Sequence, residues 1–205
     1  MEIPTDQISW QAAYKLLTGA ILPRPIGWIS TISSEQRYNL APFSFFNVVC
    51  SNPPHVLFCP TIRAKDSRQK DTLQNVRATG EFVVNIVTEE LAEAMNLTSM
   101  ELPAEMSEFD LARLTPAPAL TVKAPRVAES PVHFECRAVQ IIDIGAEPGS
   151  GSVVIGRVLH IHVKDSMLIG SDKIDLTQLK PIGRLAGNAY CRVTDIFELE
   201  RPRSS

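Results

Sequence analysis

The sequence lacks several features that mark whole classes of protein. No run of lysine and arginine reaches three in a row, and the 20 basic residues are outnumbered by 23 acidic ones, which leaves a formal net charge of −3. Binding to nucleic acids or to anionic membranes is therefore disfavoured. The N-terminal residues, MEIPTD, carry acids and no apolar signal segment, and no apolar stretch approaches the roughly 18 residues that span a bilayer. We expect a cytoplasmic protein.

Metal and nucleotide motifs are also missing. The four cysteines, Cys50, Cys59, Cys136 and Cys191, form no Cys-x-x-Cys pair and have no histidine at a zinc-site spacing. We interpret them as reduced, mostly buried thiols and expect no metal site. The absence of Gly-x-Gly-x-x-Gly and Walker motifs disfavours a Rossmann or P-loop nucleotide site.

What is present indicates one mainly β domain. A chain of 205 residues with 44% hydrophobic content can bury a sizeable core as a single domain, residues 1–205. Helices are expected at 10–17, 72–78 and 88–95. Runs rich in β-branched and apolar residues predict strands at 26–32, 40–50, 55–59, 81–87, 132–138 and 152–164. Many strands without a βαβ rhythm favour an antiparallel barrel.

Several local details follow from turn, capping and periodicity rules. Residues 33–39 are expected to form a hairpin loop and residues 145–151 a turn. Asp71 is expected to cap the second helix, with Gln74 completing a capping box. Residues 102–118 are expected to form a loop with a helical turn near 110–114. The apolar alternation changes phase after Ala138, which predicts a β-bulge there.

The segment 39–47, NLAPFSFFN, combines features that suit a ligand wall. Pro42 interrupts a central ladder, so free backbone amides are expected beside the hydroxyl of Ser44 and the rings of Phe43 and Phe45. Such a surface suits a planar heteroaromatic ligand that carries a phosphate. An edge strand with an aromatic core face is the structural alternative.

A second candidate cluster covers residues 63–72, RAKDSRQKDT, at the start of a predicted helix. Free amides at the positive end of the helix dipole, together with Arg63, Lys70 and the hydroxyl of Thr72, would hold a phosphate. A solvated, capped helix start explains the same residues without a ligand. Farther along, His160 and His162 share one face of a strand, but no third metal ligand is evident.

Taken together, the order of several motifs resembles the flavin reductase-like family of FMN-binding split barrels. This family includes flavoredoxins and the reductase components of two-component monooxygenases. The resemblance extends from about residue 20 to residue 195. It is carried by the segments 24–31 (RPIGWIST), 39–47, 53–54 (PP), 70–75 (KDTLQN) and 81–85 (EFVVN), with weaker matches at 156–162 and 181–190.

The resemblance implies a Greek-key antiparallel β-barrel with helical additions. The barrel would occupy residues 20–165, with a C-terminal extension at 166–205. The family works as a homodimer with FMN near the subunit interface. The resemblance also implies a set of FMN contacts: Trp28, Ser30, Thr31, Asn39, Ala41, Pro42, Phe43, Ser44, Phe45, Asn47, Arg63, Lys70, Asp71 and Thr72.

His162, Arg184 and Tyr190 are implied as substrate contacts, with a partly exposed strand histidine as the alternative for His162. Ala186 stands where related proteins often have a glycine. The implied activity is hydride transfer from NADH or NADPH to N5 of the flavin, for which no catalytic side chain is needed. A partner oxygenase or electron acceptor would receive the electrons. A non-enzymatic FMN electron carrier and a flavin-free β-barrel interaction module remain as alternatives.

Overall fold

The fold is mainly β, as the sequence predicts. The structure is a computed structural model, which describes residues 1–103 and 106–202. The helices within these ranges are α1 Trp10–Ala20, α2 Asp71–Thr79, α3 Ala92–Leu97, α4 Glu108–Leu111 and α5 Leu176–Leu179. Short 3-10 turns cover Thr5–Gln7, Glu89–Leu91 and Asp165–Met167.

One large sheet dominates the structure. Its strands are β1 Gly27–Ile32, β2 Tyr38–Phe43, β3 Phe46–Ser51, β4 Pro54–Phe58, β5 Glu81–Ile86, β8 Val132–Asp143 and β9 Ser152–Val163. Three two-stranded ribbons are formed by β6 Pro116–Ala117 with β7 Arg126–Val127, β10 Leu168–Ile169 with β11 Lys173–Ile174, and β12 Ile182–Arg184 with β13 Tyr190–Arg192. The seven strands of the large sheet run in the order β2-β1-β5-β8-β9-β4-β3. Every neighbouring pair is antiparallel.

The two edge strands of this sheet, β2 and β3, are consecutive in the chain. Only Ser44 and Phe45 separate them. Because three residue steps span at most about 11 Å, the sheet must curl until its edges meet at this corner. Within the described residues the strand ladder stays open between β2 and β3. The antiparallel prediction is therefore confirmed, whereas closure into a barrel remains an expectation.

The curled sheet encloses one apolar core and carries another on its outer side. Ile29, Phe58 and Phe82 pack inside, where Leu73 and Val76 of α2 join them. The other core contains Trp28, Leu40, Met95, Phe109 and Ile182. All six residues of β1 are buried, because alternate side chains of the strand enter the two cores.

Two predictions about side chains are wrong. The helix α2 begins at Asp71 after Lys70, and neither residue caps it through a side chain. The carboxylate of Asp71 instead accepts a hydrogen bond from Nη2 of Arg63 at 3.0 Å, and Gln74 donates to the carbonyl of Gln69.

The cysteines also differ from expectation. Cys136 is buried, Cys50 is exposed, and Cys59 and Cys191 are half-buried. Cys50 is exposed because it lies on the edge strand β3, whose residues beyond Phe46 all face solvent.

Other local predictions are confirmed. The pairing of β8 with β9 shifts between Ala138 and Gln140, where the bulge is expected, and also between Glu135 and Cys136. The chain turns between Asp143 and Ser152 as predicted. A short helix does form in the long loop, at Glu108–Leu111. Ala104 and Glu105 of the predicted loop lie outside the described residues. Residues 203–205 of the predicted extension lie outside them as well. Among the described residues, no helix has the length and apolar composition that crossing a membrane requires.

The core tolerates no side chain at Gly156, where β9 crosses the ring of Phe82. A Cβ atom at this position would lie 2.6 Å from Cε1 of the buried Phe82. We therefore expect Gly156→Ala to lower the free energy of unfolding by about 1–3 kcal/mol through overpacking, measured as a lower urea midpoint. Gly19→Ala is the matched control, because no atom lies within 4 Å of its added Cβ. Equal midpoints for both variants would contradict the packing argument.

Candidate functional site

Three adjoining cavities form one cleft beside the corner between β2 and β3. The Ser44 cavity, of about 580 Å³, is lined by Pro42, Ser44, Arg184 and Tyr190 among others. The Trp10 cavity, of about 560 Å³, lies between α1 and the loop after β4. The small Lys70 cavity, of about 70 Å³, adjoins both. It shares Pro42 with the first and Lys70 with the second.

Ser44 is held in this cleft by Arg24, a residue that is only 6% exposed. Nε of Arg24 donates to Oγ of Ser44 at 3.4 Å. Its other nitrogens donate to the carbonyls of Thr18 at 2.6 Å and Leu185 at 2.9 Å. The Thr18 carbonyl lies at the C-terminal end of α1, where a cation is favoured by the helix dipole. Arg24 therefore holds α1 and the C-terminal segment around Ser44. The site residues expected from the sequence do not include Arg24.

Arg63 and Lys70 bring two cations to the Lys70 cavity, which Asp71, Glu101 and Glu108 also line. Nη2 of Arg63 bonds Asp71 at 3.0 Å, but its buried Nε has no hydrogen-bond partner in residues 1–103 and 106–202. This Nε forms an ion pair with an oxygen of Glu101 at 3.7 Å, a distance too long for a hydrogen bond. The ammonium group of Lys70 makes no hydrogen bond or ion pair within the same ranges. Free donors of this kind indicate a site for an anionic group.

The start of α2 adds to this donor set. The first hydrogen bonds of the helix run from the amides of Leu73 and Gln74 to the carbonyl of Lys70. The amides of Asp71 and Thr72 therefore have no partner within the helix. The positive end of the helix dipole lies at the same place. The predicted cluster of Arg63, Lys70, Asp71 and Thr72 is thus brought together around one cavity.

A buried polar network supports the floor of the Lys70 cavity. The hydroxyl of Thr72 donates to Oδ1 of Asn39 at 2.8 Å, and Nδ2 of Asn39 donates to Glu108 at 3.0 Å. The other carboxylate oxygen of Glu108 accepts from the amide of Leu40 at 3.0 Å. Burial raises the pKa of Glu108, and these hydrogen bonds offset part of the rise. Thr72 and Asn39 therefore position the strand and helix, and Glu108 is a further member that sequence reasoning missed.

Several predicted contacts lie outside the cleft surface. Trp28 is fully buried and donates from Nε1 to the hydroxyl of Thr98 at 2.8 Å. The hydroxyl of Ser30 bonds the carbonyl of Pro125 in the interior, Thr31 bonds Asn39, and Phe43 packs in the inner core. Trp28, Ser30 and Thr31 lie behind the cleft wall because both faces of β1 are covered, and Phe43 of β2 is buried in the inner core.

The remaining residues of segment 39–47 have separate positions. Asn39, Ala41 and Pro42 line the Lys70 cavity, and Phe45 lines the Trp10 cavity. Asn47 is exposed on β3, where its side-chain oxygen accepts from the amide of Val48 at 2.8 Å. The segment therefore contributes Asn39, Ala41 and Pro42 and the corner residues Ser44 and Phe45 to the cleft.

The C-terminal ribbon brings Arg184 and Tyr190 to the Ser44 cavity. The guanidinium of Arg184 lies 4.5 Å from the ring centroid of Tyr190 and donates to its hydroxyl and to the carbonyl of Gly187. The turn has its positive φ, 59°, at Gly187 and not at Ala186. Alanine at 186 is therefore compatible with this backbone.

His162 does not line the cleft. Its Nε2 lies 2.5 Å from Oε1 of the fully buried Glu135, and the ring of His160 is 4.5 Å away between centroids. No group of three or more metal-binding side chains occurs in the described part of the chain. Burial raises the pKa of Glu135, but hydrogen bonds from Thr121, Leu120 and His162 outweigh this effect and lower it to about 2.

The pairing of Glu135 predicts a specific acid sensitivity. Because its pKa falls from 4.5 to about 2 on folding, its contribution to stability is complete above pH 4.5 and is lost as the pH falls towards 2. Glu135→Gln should flatten the dependence of the urea midpoint on pH across this window. Glu147→Gln, at an exposed residue in the turn before β9, should keep the wild-type profile. An unchanged slope in Glu135→Gln would refute this assignment.

The fold and the cleft define a mainly β protein with an open cavity that carries free cationic donors. Comparison with known proteins assigns the family. Residues 19–172 match the flavin reductase like domain, and the chain belongs to this family. An uncharacterized protein of Halalkalibacterium halodurans is 41% identical over 207 residues, which cover 100% of this chain and 98% of that protein.

Two solved structures are similar in both sequence and fold. Nitrilotriacetate monooxygenase component B from Bacillus cereus is 36% identical with a TM-score of 0.91, and the match covers 97% of this chain and 98% of that chain. The 2-nitrobenzoate 2-nitroreductase of Pseudomonas fluorescens is 30% identical with a TM-score of 0.88, covering 98% and 96%. The resemblance inferred from the sequence motifs is thereby confirmed.

Proposed function

We propose that this protein is an NAD(P)H-dependent flavin oxidoreductase that binds FMN in the cleft. Membership of the flavin reductase-like family supports the oxidoreductase class. The observation that carries FMN as the ligand is the buried Nε of Arg63, which has no hydrogen-bond partner in the described ranges, beside the free ammonium of Lys70. Buried donors are satisfied in most proteins, so this pair favours a ligand with a phosphate.

The dimensions of the cleft fit the rest of FMN. The Ser44 cavity, of about 580 Å³, falls within the range of about 300–1,000 Å³ that small ligands and cofactors occupy. It adjoins the Lys70 cavity through Pro42 and Ser99. We infer that the isoalloxazine ring enters the Ser44 cavity and that the phosphate enters the Lys70 cavity.

Bound flavin would supply the acceptor for a hydride from NADH or NADPH. The residues of this chain bind and orient the reactants. The hydroxyl of Ser44 accepts from Arg24 and would donate its own proton to the ring. Arg184 and Tyr190 line the same cavity and are the proposed contacts for the nicotinamide. No side chain is assigned as an acid or a base.

Other parts of the proposal do not depend on the geometry of the cleft. The name of the Bacillus cereus relative, component B of a monooxygenase, supports an oxygenase as the partner that receives reduced flavin. The split-barrel closure, the homodimer and the cytoplasmic location remain predictions. An FMN electron carrier is the rival function, and it differs in having no NAD(P)H oxidation.

Removal of the side chains of Lys70 and Arg63 should weaken FMN binding. Because a charge-assisted hydrogen bond contributes about 1.5–3 kcal/mol, Lys70→Ala and Arg63→Ala should each raise the Kd for FMN by roughly 10- to 150-fold. Fluorescence titration of apoprotein with FMN measures the change. Lys173→Ala is the control, because Lys173 is exposed on β11 and does not line the cleft. Wild-type affinity in both cleft variants would remove them from the phosphate site.

The reductase activity has its own test. Steady-state oxidation of NADH and of NADPH is measured with added free FMN, and we expect saturable rates well above the uncatalysed reaction. A protein that binds FMN but oxidises neither nucleotide would be a carrier. A colourless protein that gains no flavin absorbance on FMN titration would exclude both functions.

A further inference from the structure

The Ser44 cavity is bordered by positive charge that no lining carboxylate balances. Arg184 lines the cavity and is bound to neutral groups, the hydroxyl of Tyr190 and the carbonyl of Gly187. Arg24 is buried and binds the hydroxyl of Ser44. In the described part of the chain, no aspartate or glutamate lines this cavity. The cavity therefore favours a ligand, or a state of a ligand, that carries negative charge.

The charge of Arg24 is only partly offset by its own hydrogen bonds. Within residues 1–103 and 106–202, its side chain donates to three backbone carbonyls and one hydroxyl, those of Thr18, Ile21, Leu185 and Ser44. It forms no ion pair with a carboxylate in the same ranges. The helix dipole supplies about half an elementary negative charge at the end of α1. Because a guanidinium keeps its full charge in proteins, a net positive charge remains beside Ser44.

The position of this charge is fixed by the surrounding structure. Arg24 is only 6% exposed, and its backbone exchanges two hydrogen bonds with that of Arg184, at 3.0 and 2.9 Å. Its side chain therefore cannot turn into water, and a buried charge is screened less than an exposed one. Nε of Arg24 lies 3.4 Å from Oγ of Ser44. A ring atom that accepts from this hydroxyl would lie about 6 Å from Nε.

The proposed reaction changes the charge on the ring by one unit. A hydride carries two electrons and one proton from the neutral nicotinamide, which is oxidised to a cation. The isoalloxazine that receives the hydride is reduced and becomes an anion until it takes up a second proton. An opposite charge within about 4–6 Å favours the charged form of a group by about 1–3 pKa units. The charge of Arg24 thus acts on the reduced ring much more than on the oxidised ring.

We propose that Arg24 is a positioning residue that makes the cleft bind reduced FMN more tightly than oxidised FMN. Its guanidinium donates to Oγ of Ser44, which leaves the hydroxyl proton free to be donated to the ring. Its charge then stabilises the negative charge that the ring gains. This inference rests on the proposed function, because it requires the isoalloxazine in the Ser44 cavity.

The ratio of two affinities tests this inference in the wild-type protein. Flavin-free protein is titrated with oxidised FMN and, under anaerobic conditions, with chemically reduced FMN. We expect the Kd for reduced FMN to be lower by about tenfold or more, which for a two-electron couple corresponds to a rise of about 30 mV in the reduction potential of the bound flavin. Equal affinities, or tighter binding of oxidised FMN, would overturn the inference without any variant.

Arg24→Met separates the charge of Arg24 from its structural role. The variant removes the charge and keeps a side chain of similar length. Loosening of α1 and of the C-terminal segment weakens both forms of FMN alike and cancels in the ratio of the two Kd values. Loss of the charge weakens reduced FMN alone, so the ratio should fall about tenfold towards that of a neutral site.

Arg24→Lys is the rescue variant. It keeps the positive charge and loses the fork of hydrogen bonds, so it should retain most of the wild-type ratio even where both Kd values rise. A purely structural role predicts the wild-type ratio in Arg24→Met as well, and that result would refute the assignment. If Arg24→Met fails to fold, the wild-type ratio and Arg24→Lys still decide the question.

Arg157→Met is the matched control. Arg157 is exposed on β9 and does not line the Ser44 cavity, so its replacement changes the net charge by the same amount and should leave the ratio unchanged. An equal fall in both methionine variants would assign the effect to net charge and remove Arg24. FMN binding with a ratio that is unaffected by Arg24→Met leaves the proposed function standing, whereas absence of any FMN binding removes the function and this inference together.

Discussion

The buried guanidinium of Arg24 connects segments that lie far apart in the chain. It binds the carbonyls at the end of α1, the hydroxyl of Ser44 at the corner of the sheet, and the carbonyl of Leu185 near the C-terminus. A buried charge is costly unless its hydrogen bonds are satisfied. Arg24 meets this requirement mainly with carbonyl groups, so its charge is stable only while all three segments are in place.

This arrangement explains why the cleft is assembled from distant sequence. The backbone of Arg24 pairs with that of Arg184, which aligns the C-terminal ribbon with the entry to β1. The Ser44 cavity thus receives one wall from the sheet corner and another from the ribbon. The Lys70 cavity is likewise built from distant segments. They are joined by the hydrogen bonds between Thr72, Asn39 and Glu108.

Much of the architecture could be predicted from the sequence. Strands β1, β4, β5 and β9 follow from β-branched and apolar runs, and the bulge follows from the phase change at Ala138. The charged run before the predicted helix indicated the cluster of Arg63 and Lys70, which the structure brings into one cavity.

Local sequence patterns could not predict which side chains face the cleft and which face the core. Trp28 and Ser30 belong to a strand covered on both faces, and alternation alone does not distinguish a cavity wall from a core in that case. The loss of the expected Asp71 cap has a similar cause, because Arg63 competes for the carboxylate through a tertiary contact. Glu108 begins the short helix α4 within a segment predicted to be mostly loop, where nothing in the local sequence indicates that its carboxylate is buried.

The corner at Ser44 and Phe45 joins opposite edges of the sheet and also divides the cleft. Ser44 faces one large cavity and Phe45 another, while Pro42 borders the small cavity between them. The same few residues therefore join the edges of the sheet and line the cavities of the cleft. Lengthening this joint by a single residue would shift both rims at once, whereas the turn between β8 and β9 can change length without moving the corner. Among relatives, variation in ligand preference is thus expected to arise through side-chain exchange at a joint of constant length.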